Sequence, residues 1–320
     1  MEHSQNHNSV CNIEHSEMHN SRKEPEDKQE QSLTNSSEAA PGHSTDQDRN
    51  QQSILDRIVA ATRARVEQRK EAHALEQVIS QLYRGEQLKQ FTDRPCFAFE
   101  SALRKKGMSF ICEVKKASPS KGMIAEHFPY IAIAREYEEA GADAISVLTE
   151  QDFFLGKAEY LTEISRTVSI PVLRKDFIID EYQIYEAKLI GADAVLLICS
   201  LLQEERLRYF LKLTKILGLS ALVETHTTEE VGMALRAGAS IIGVNNRNLQ
   251  NFTVNLSTSI ELRKQVPEEL LFVAESGIDT PEDIRLLKEA GTDAVLIGEA
   301  LMRSSNKKQL LSELREGLRG

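Results

Sequence analysis

The sequence predicts a single α/β domain in which eight parallel strands close into a barrel ringed by helices, and three observations carry that expectation. A glycine-led turn recurs four times, as Gly141-Ala-Asp143-Ala, Gly191-Ala-Asp193-Ala, Gly238-Ala-Ser240-Ile and Gly291-Thr-Asp293-Ala, at intervals of 50, 47 and 53 residues. Each interval is about the length of two strand–helix units. Apolar runs without helical period lie behind and between these turns, eight in all, separated by segments of three-and-four periodicity such as Leu202 to Leu217 and Pro281 to Ala290. Charged or amide residues stand where most of the runs stop. Glycine suits the left-handed position that ends a helix. Alternating strands and helices build a parallel sheet, and eight such units close into the (β/α)8, or TIM, barrel. An open doubly wound sheet is the competing arrangement, but no Gly-x-Gly-x-x-Gly follows any strand.

Taken in order, residues 1–50 hold ten acidic and four basic residues and no aromatic one. Such a segment cannot bury enough apolar surface to offset the entropy of ordering. A disordered, polar, acidic tail is expected over 1–50 and the barrel domain over 51–320. At Ser53 the pattern changes to Ile54-Leu55-Asp-Arg-Ile58-Val59, apolar at helical spacing behind a residue able to cap the first turn. The spacing predicts a helix to about Arg69, then a mostly polar stretch, then a short helix near Phe97 to Lys105. These extra helices are expected to cover one end of the barrel.

The first strand begins at Ser109-Phe-Ile-Cys112. Strand side chains alternate between faces, so Phe110, Cys112 and Val114 are expected to pack outward while Glu113 and Lys115 project toward the centre. Two charges there are costly unless paired or used. The Ser118-Pro119-Ser120-Lys121-Gly122 loop behind them carries hydroxyls and a cation, which suits an anionic ligand. The remaining strands are Ala144 onward, Ile170–Leu173, Ala194 onward, Leu219–Val223, Ile241 onward, Leu271–Ala274 and Ala294 onward.

In a closed parallel barrel the active site forms at the carboxyl ends of the strands. The polar residues found there should therefore converge: Glu113 and Lys115 from the first strand, Arg174-Lys175-Asp176 from the third, Glu224 from the fifth, Asn245-Asn-Arg247 from the sixth, and Glu275-Ser276-Gly277 from the seventh. Any one alone reads as a solvated loop residue; together they make a catalytic constellation. After strands seven and eight, Ser276-Gly277 and Gly298-Glu299 place backbone amides where a phosphate could approach, with a short helix behind Gly298. Lys175, beside a second ammonium and partly buried, is expected to have a pKa lowered toward neutrality.

Composition excludes several classes. The chain of 320 residues has 41% hydrophobic content and a net charge of -10, without the basic patch that nucleic-acid binding needs. The cysteines at 11, 96, 112 and 199 include no Cys-x-x-Cys pair, which argues against a zinc site or a disulfide framework. The start lacks the pattern of a signal peptide, and the longest apolar run, Ala194 to Cys199, is too short to span a bilayer. A cytoplasmic protein without membrane or nucleic-acid partners is expected, monomeric or weakly homo-oligomeric.

With these residues in view, the chain from about residue 53 to 320 resembles indole-3-glycerol phosphate synthase. The resemblance rests on Glu113-Val-Lys-Lys-Ala-Ser-Pro-Ser-Lys-Gly122, Ser146-Val-Leu-Thr-Glu150, Leu173-Arg-Lys-Asp-Phe-Ile-Ile-Asp180, Leu222-Val-Glu224, Val244-Asn-Asn-Arg247, Ala274-Glu-Ser-Gly-Ile278 and Leu296-Ile-Gly298. It implies a carboxy-lyase that closes the indole ring of a phosphorylated small molecule, 1-(2-carboxyphenylamino)-1-deoxyribulose 5-phosphate, losing carbon dioxide and water, with no cofactor and no metal. It implies Lys175 as the acid at the sugar carbonyl, Lys115 and Glu224 as acid and base for loss of the hydroxyl, and Glu113, Asn245 and Glu275 as orienting groups. Ser118 with Lys115 would hold the substrate carboxylate, Arg247 would join the same network, and Phe154, Phe177 and Leu249 would form a slot for the aromatic ring. Glu299 departs from the small hydroxyl residue that many members carry, so only its backbone amide, with Ser276, Gly277 and Gly298, is expected to meet phosphate. The phosphoribosylanthranilate isomerase scaffold is similar, but it uses a cysteine and an aspartate where this chain has Glu, Lys and Asn.

Overall fold

The computed structural model describes residues 53–84, 91, 94–248 and 251–319. The expected tail and its boundary at residue 50 lie outside them. Eight strands form the closed barrel: β1 Ser109–Val114, β2 Ala144–Leu148, β3 Val172–Lys175, β4 Ala194–Ile198, β5 Ser220–Thr225, β6 Ile241–Asn245, β7 Leu271–Glu275 and β8 Ala294–Ile297. All neighbours are parallel, and β1 pairs with both β2 and β8. The helices are α1 Ile54–Ala72, α2 Leu75–Arg84, α3 Ala98–Leu103, α4 Tyr130–Glu139, α5 Ala158–Thr167, α6 Glu181–Leu189, α7 Glu204–Ile216, α8 Thr228–Ala237, α9 Ser257–Arg263, α10 Pro281–Glu289, α11 Glu299–Arg303 and α12 Lys307–Glu316.

Two apolar layers follow from strand alternation. Ile111, Ala144, Leu173, Leu196, Leu222, Val273 and Leu296 fill the barrel, while Phe110, Cys112, Val114, Val195, Val223 and Val295 pack outward among the helices. The repeated Gly-x-Asp turn has a structural cause. Asp143 accepts the Phe110 backbone N–H at 2.8 Å, Asp193 that of Val172 at 2.8 Å, and Asp293 that of Phe272 at 2.8 Å. In each case an aspartate entering an even-numbered strand satisfies an amide of the strand before it, and a buried amide left unpaired would be costly. Gly141, Gly191 and Gly291 supply the positive φ that the turn demands.

The N-terminal helices divide between the two ends. Phe99 and Leu103 of α3 are packed with the barrel interior, and Glu100 N–H donates to Ser220 Oγ at the start of β5, so α3 closes the amino-terminal end. Ile54, Leu55 and Ile58 of α1 instead border the cavity at the carboxyl ends. Helix α1 starts where expected, with a reciprocal Ser53–Asp56 capping box, and runs past Arg69 to Ala72. The stretch that reads as merely polar contains α2, which buries Val78, Ile79 and Leu82 along one stripe. Among the described residues Cys112 and Cys199 are free and buried, and Cys96 is disulfide-bonded.

Candidate active site

The carboxyl ends of the strands enclose a cavity of about 790 Å³, bordered by Glu113, Lys115, Ser118, Phe154, Lys175, Phe177, Glu224, Asn245, Arg247, Glu275, Ser276, Gly277, Gly298 and Glu299. The site residues expected from the sequence border it, apart from Arg174 and Asn246, which turn outward, and Leu249, which lies outside the described residues.

Two ionic groups face each other in it. Lys115 Nζ donates to Glu113 Oε1 at 2.5 Å, on the inward face that period two assigns to both. Gly298 makes room for them: a Cβ there would lie 2.3 Å from Glu113 Oε1. Lys175 Nζ donates to Glu224 Oε2 at 3.1 Å and lies 3.6 Å from Glu275 Oε2. Register sets Asn245 beside Glu275 and Glu224 beside Gly243, and Gly243 leaves the space that the Glu275 carboxyl occupies, since a Cβ would lie 2.4 Å from its Oε1.

The electrostatics reverse one expectation. Burial pulls the Lys175 pKa down, but the carboxylates of Glu224, Glu275 and Glu113 outweigh it and hold the ammonium above its ordinary value. The sequence shows the second lysine but not that Lys115 is already paired, so repulsion between the two is offset. Burial pushes Glu224 up, but Lys175, His226 and hydrogen bonds from Lys175 and Asn245 bring it below the ordinary carboxylate value. Glu275 goes the other way: burial, with Glu224 and Glu113 nearby, pushes it up to about 8 despite Lys175 and His226.

The other polar residues sort by strand parity. Arg174 turns away from the barrel centre; it is fully buried and pairs with Asp176 at 3.0 Å and Glu186 at 2.8 Å. Its role is to bind β3 to α6, so it leaves the ring expected from the sequence. Asn246 likewise turns outward, accepting from Ser259 and donating to the Ser276 carbonyl, while Asn245 Oδ1 accepts the Arg247 amide at 3.0 Å. Phe154 and Phe177 stand 6.0 Å apart between ring centres and wall the apolar side; Glu150 holds the Phe154 loop by accepting the Phe153 and Phe154 amides.

Ser276 and Gly277, which border the same cavity, both take positive φ, 68° and 73°. A left-handed serine is uncommon, and strain of this kind persists where surroundings impose it. Glu299 does not leave this region to backbone amides alone. Its carboxylate lies 3.5 Å from Lys121, 3.7 Å from Arg247 and 3.1 Å from Arg303, a cationic trio of which only Lys121 and Arg247 stand out in the sequence. His226 does not stand out at all; it follows β5 directly, and its Nε2 lies 3.6 Å from Glu224 Oε1.

The indole-3-glycerol phosphate synthase family model matches residues 55–314. The chain belongs to that family. The indole-3-glycerol phosphate synthase of Lachnoclostridium phytofermentans is 55% identical over 268 residues, covering 82% of this chain and 98% of its own. That of Ruminiclostridium cellulolyticum is 55% identical over 262 residues with the same coverage. Among solved structures, 3-hexulose-6-phosphate synthase superposes with a TM-score of 0.51 at 16% identity, covering 66% of this chain and 99% of that one, a likeness of fold alone. As a family member the chain is a carboxy-lyase of tryptophan biosynthesis that forms indole-3-glycerol phosphate from a phosphorylated substrate. Among the described residues no helix is long and apolar enough to cross a membrane.

Proposed function

We propose that Lys175 is the general acid of ring closure and that Lys115 and Glu224 complete the dehydration. The observation that carries this is the position of the Lys175 ammonium on the cavity floor, 3.1 Å from Glu224 and 3.6 Å from Glu275, with the Lys115–Glu113 pair bordering the same cavity. The ring carbon bearing the carboxylate attacks the sugar-derived carbonyl, and the new C–C bond sends the carbonyl electrons to oxygen. A fully protonated lysine stabilises that oxyanion and gives it a proton. Loss of carbon dioxide returns the electron pair to the ring. The hydroxyl then leaves as water, with Lys115 as acid and the ionised Glu224 as base.

Glu113, Asn245 and Glu275 orient these groups. Ser118 and Lys115 hold the carboxylate beside Arg247, Phe154, Phe177 and Leu249 flank the aromatic ring, and Ser276, Gly277, Gly298 and Glu299 frame the phosphate. The acids are ammonium groups, so no cofactor or metal takes part. Among the described residues the three exposed large apolar side chains, Met123, Val254 and Leu286, belong to three different segments, which supports a monomer or weak homo-oligomer, and we place it in the cytoplasm.

A rapid-mixing experiment tests the division of labour. With Lys115→Met, carbon dioxide should be released before indole absorbance rises, because the closed ring waits for dehydration; with Lys175→Met neither should form at speed. Equal suppression of both signals by Lys115→Met would overturn the assignment.

A further inference from the structure

His226 lies behind the site rather than in it. It does not border the cavity, its side chain is 16% exposed, and it is held from the outer side by Glu230 of α8. The His226 backbone N–H donates to Glu230 Oε2 at 2.6 Å, and Nδ1 lies 3.4 Å from the same oxygen. The far nitrogen, Nε2, is buried without a hydrogen-bond partner and points at Glu224 Oε1 from 3.6 Å. That distance is too long for a hydrogen bond and short enough for strong attraction between opposite charges in a partly desolvated setting. The two oxygens of Glu224 therefore have different cations, Lys175 at Oε2 and His226 at Oε1.

We propose that His226 is a positioning residue whose imidazolium, anchored by Glu230, holds the Glu224 carboxylate in place and ionised while Lys175 gives its proton to the substrate. The proposal rests on Glu224 acting as the base. Lys175 cannot serve both needs: once its proton has gone to the carbonyl oxygen, Glu224 has lost that positive charge, and His226 is the cation left against it. The charged groups acting on His226 are Glu224 on β5, Glu230 on α8 and Glu275 on β7; the Cys199 thiol beyond β4 lies 3.7 Å from the Glu230 carbonyl oxygen. Burial lowers the imidazole pKa, but the Glu230 hydrogen bond and the charges of Glu224 and Glu230 leave it raised above 6.5, with Glu275 adding to this only as it ionises near 8. The competing role is structural: Glu230 sits three residues after the α8 cap, Thr227, and its hold on His226 could serve the helix start alone.

The test compares His226→Gln, His226→Lys and Glu224→Gln in the full chain, reading kcat, KM, the pH profile and melting temperature. Without the imidazolium the Glu224 pKa rises, so the acid limb of the kcat profile should move up by about one pH unit. His226→Gln should also lower kcat about tenfold with KM within about twofold, and His226→Lys should return the limb toward its original position. A wild-type limb in His226→Gln overturns the proposal whether kcat is kept or lost, since loss without a shifted limb is what helix capping alone would give. If Glu224→Gln keeps its turnover, the base assignment has failed and the proposal with it; if Glu224→Gln is inactive and His226→Gln is unchanged, only the proposal has failed.

Discussion

Lys175 and Glu224 meet across the barrel mouth from β3 and β5, Nζ to Oε2 at 3.1 Å, over the end of β4 that lies between them. Strand β4 stops in Ile198, which offers neither of them a charge. The pair is thus joined by reach rather than by sheet neighbourhood, and each fixes the other's protonation state.

Glu275 changes charge near neutrality, and its effect on stability has a definite sign. Its folded pKa, about 8, lies above the ordinary 4.5, so the folded state binds the extra proton between those values. Stability then falls as pH rises through that window and levels off above it. Glu275→Gln, which keeps the shape without the charge, should melt several degrees above wild type at pH 9, the gap closing toward pH 5. A gap that widens on acidification would contradict the account.

Glu299 occupies, with its carboxylate, the charge that Lys121, Arg247 and Arg303 offer to an anion. A phosphate must displace it or share those cations with it. Glu299→Gln should therefore bind inorganic phosphate about three- to tenfold more tightly by calorimetry, a change of roughly 1 kcal/mol typical of an exposed ion pair. Weaker phosphate binding in the variant would show that the carboxylate helps rather than competes.

Helix α1 is fastened across the mouth by Arg65 to Glu150 at 2.8 Å, Arg69 to Glu186 at 2.9 Å and Lys70 to Asp180 at 2.7 Å, over buried Ile58, Thr62 and Val66. Deleting residues 1–48 should leave melting temperature and turnover nearly unchanged. Deleting through Arg69 removes two buried aliphatic side chains worth about 1.5–3 kcal/mol each and should lower both sharply. Identical behaviour of the two truncations in thermal unfolding and in assay would refute it.

Strand alternation and glycine spacing are what make this fold legible in its residues. Period two sets Glu113 and Lys115 on one face and Phe110, Cys112 and Val114 on the other, and the spaced glycines announce the eight units. Alternation also separates Arg174 and Asn246 from Lys175 and Asn245, yet their polarity masks it, because buried outward-facing polar groups look like site residues until their partners, Glu186 and Ser259, are known. Helix α2 is legible by spacing, since Leu75, Val78, Ile79 and Leu82 recur at three and four, but composition alone reads the stretch as polar. Contacts between distant segments are out of reach altogether: the Lys175 pKa depends on Glu224 and Glu275, which lie 49 and 100 residues away, and His226 matters through Glu224 and Glu230 together.

Turnover of Lys175→Met reads out whether the Lys175 ammonium is the acid of ring closure. Methionine keeps an unbranched apolar stem and removes the charge. Turnover should fall by about two to four orders of magnitude, the usual worth of a positioned acid, while folding and tight binding of a product analogue persist. A variant that kept more than about a tenth of its turnover, well outside that range, would contradict the claim and pass the role to Lys115.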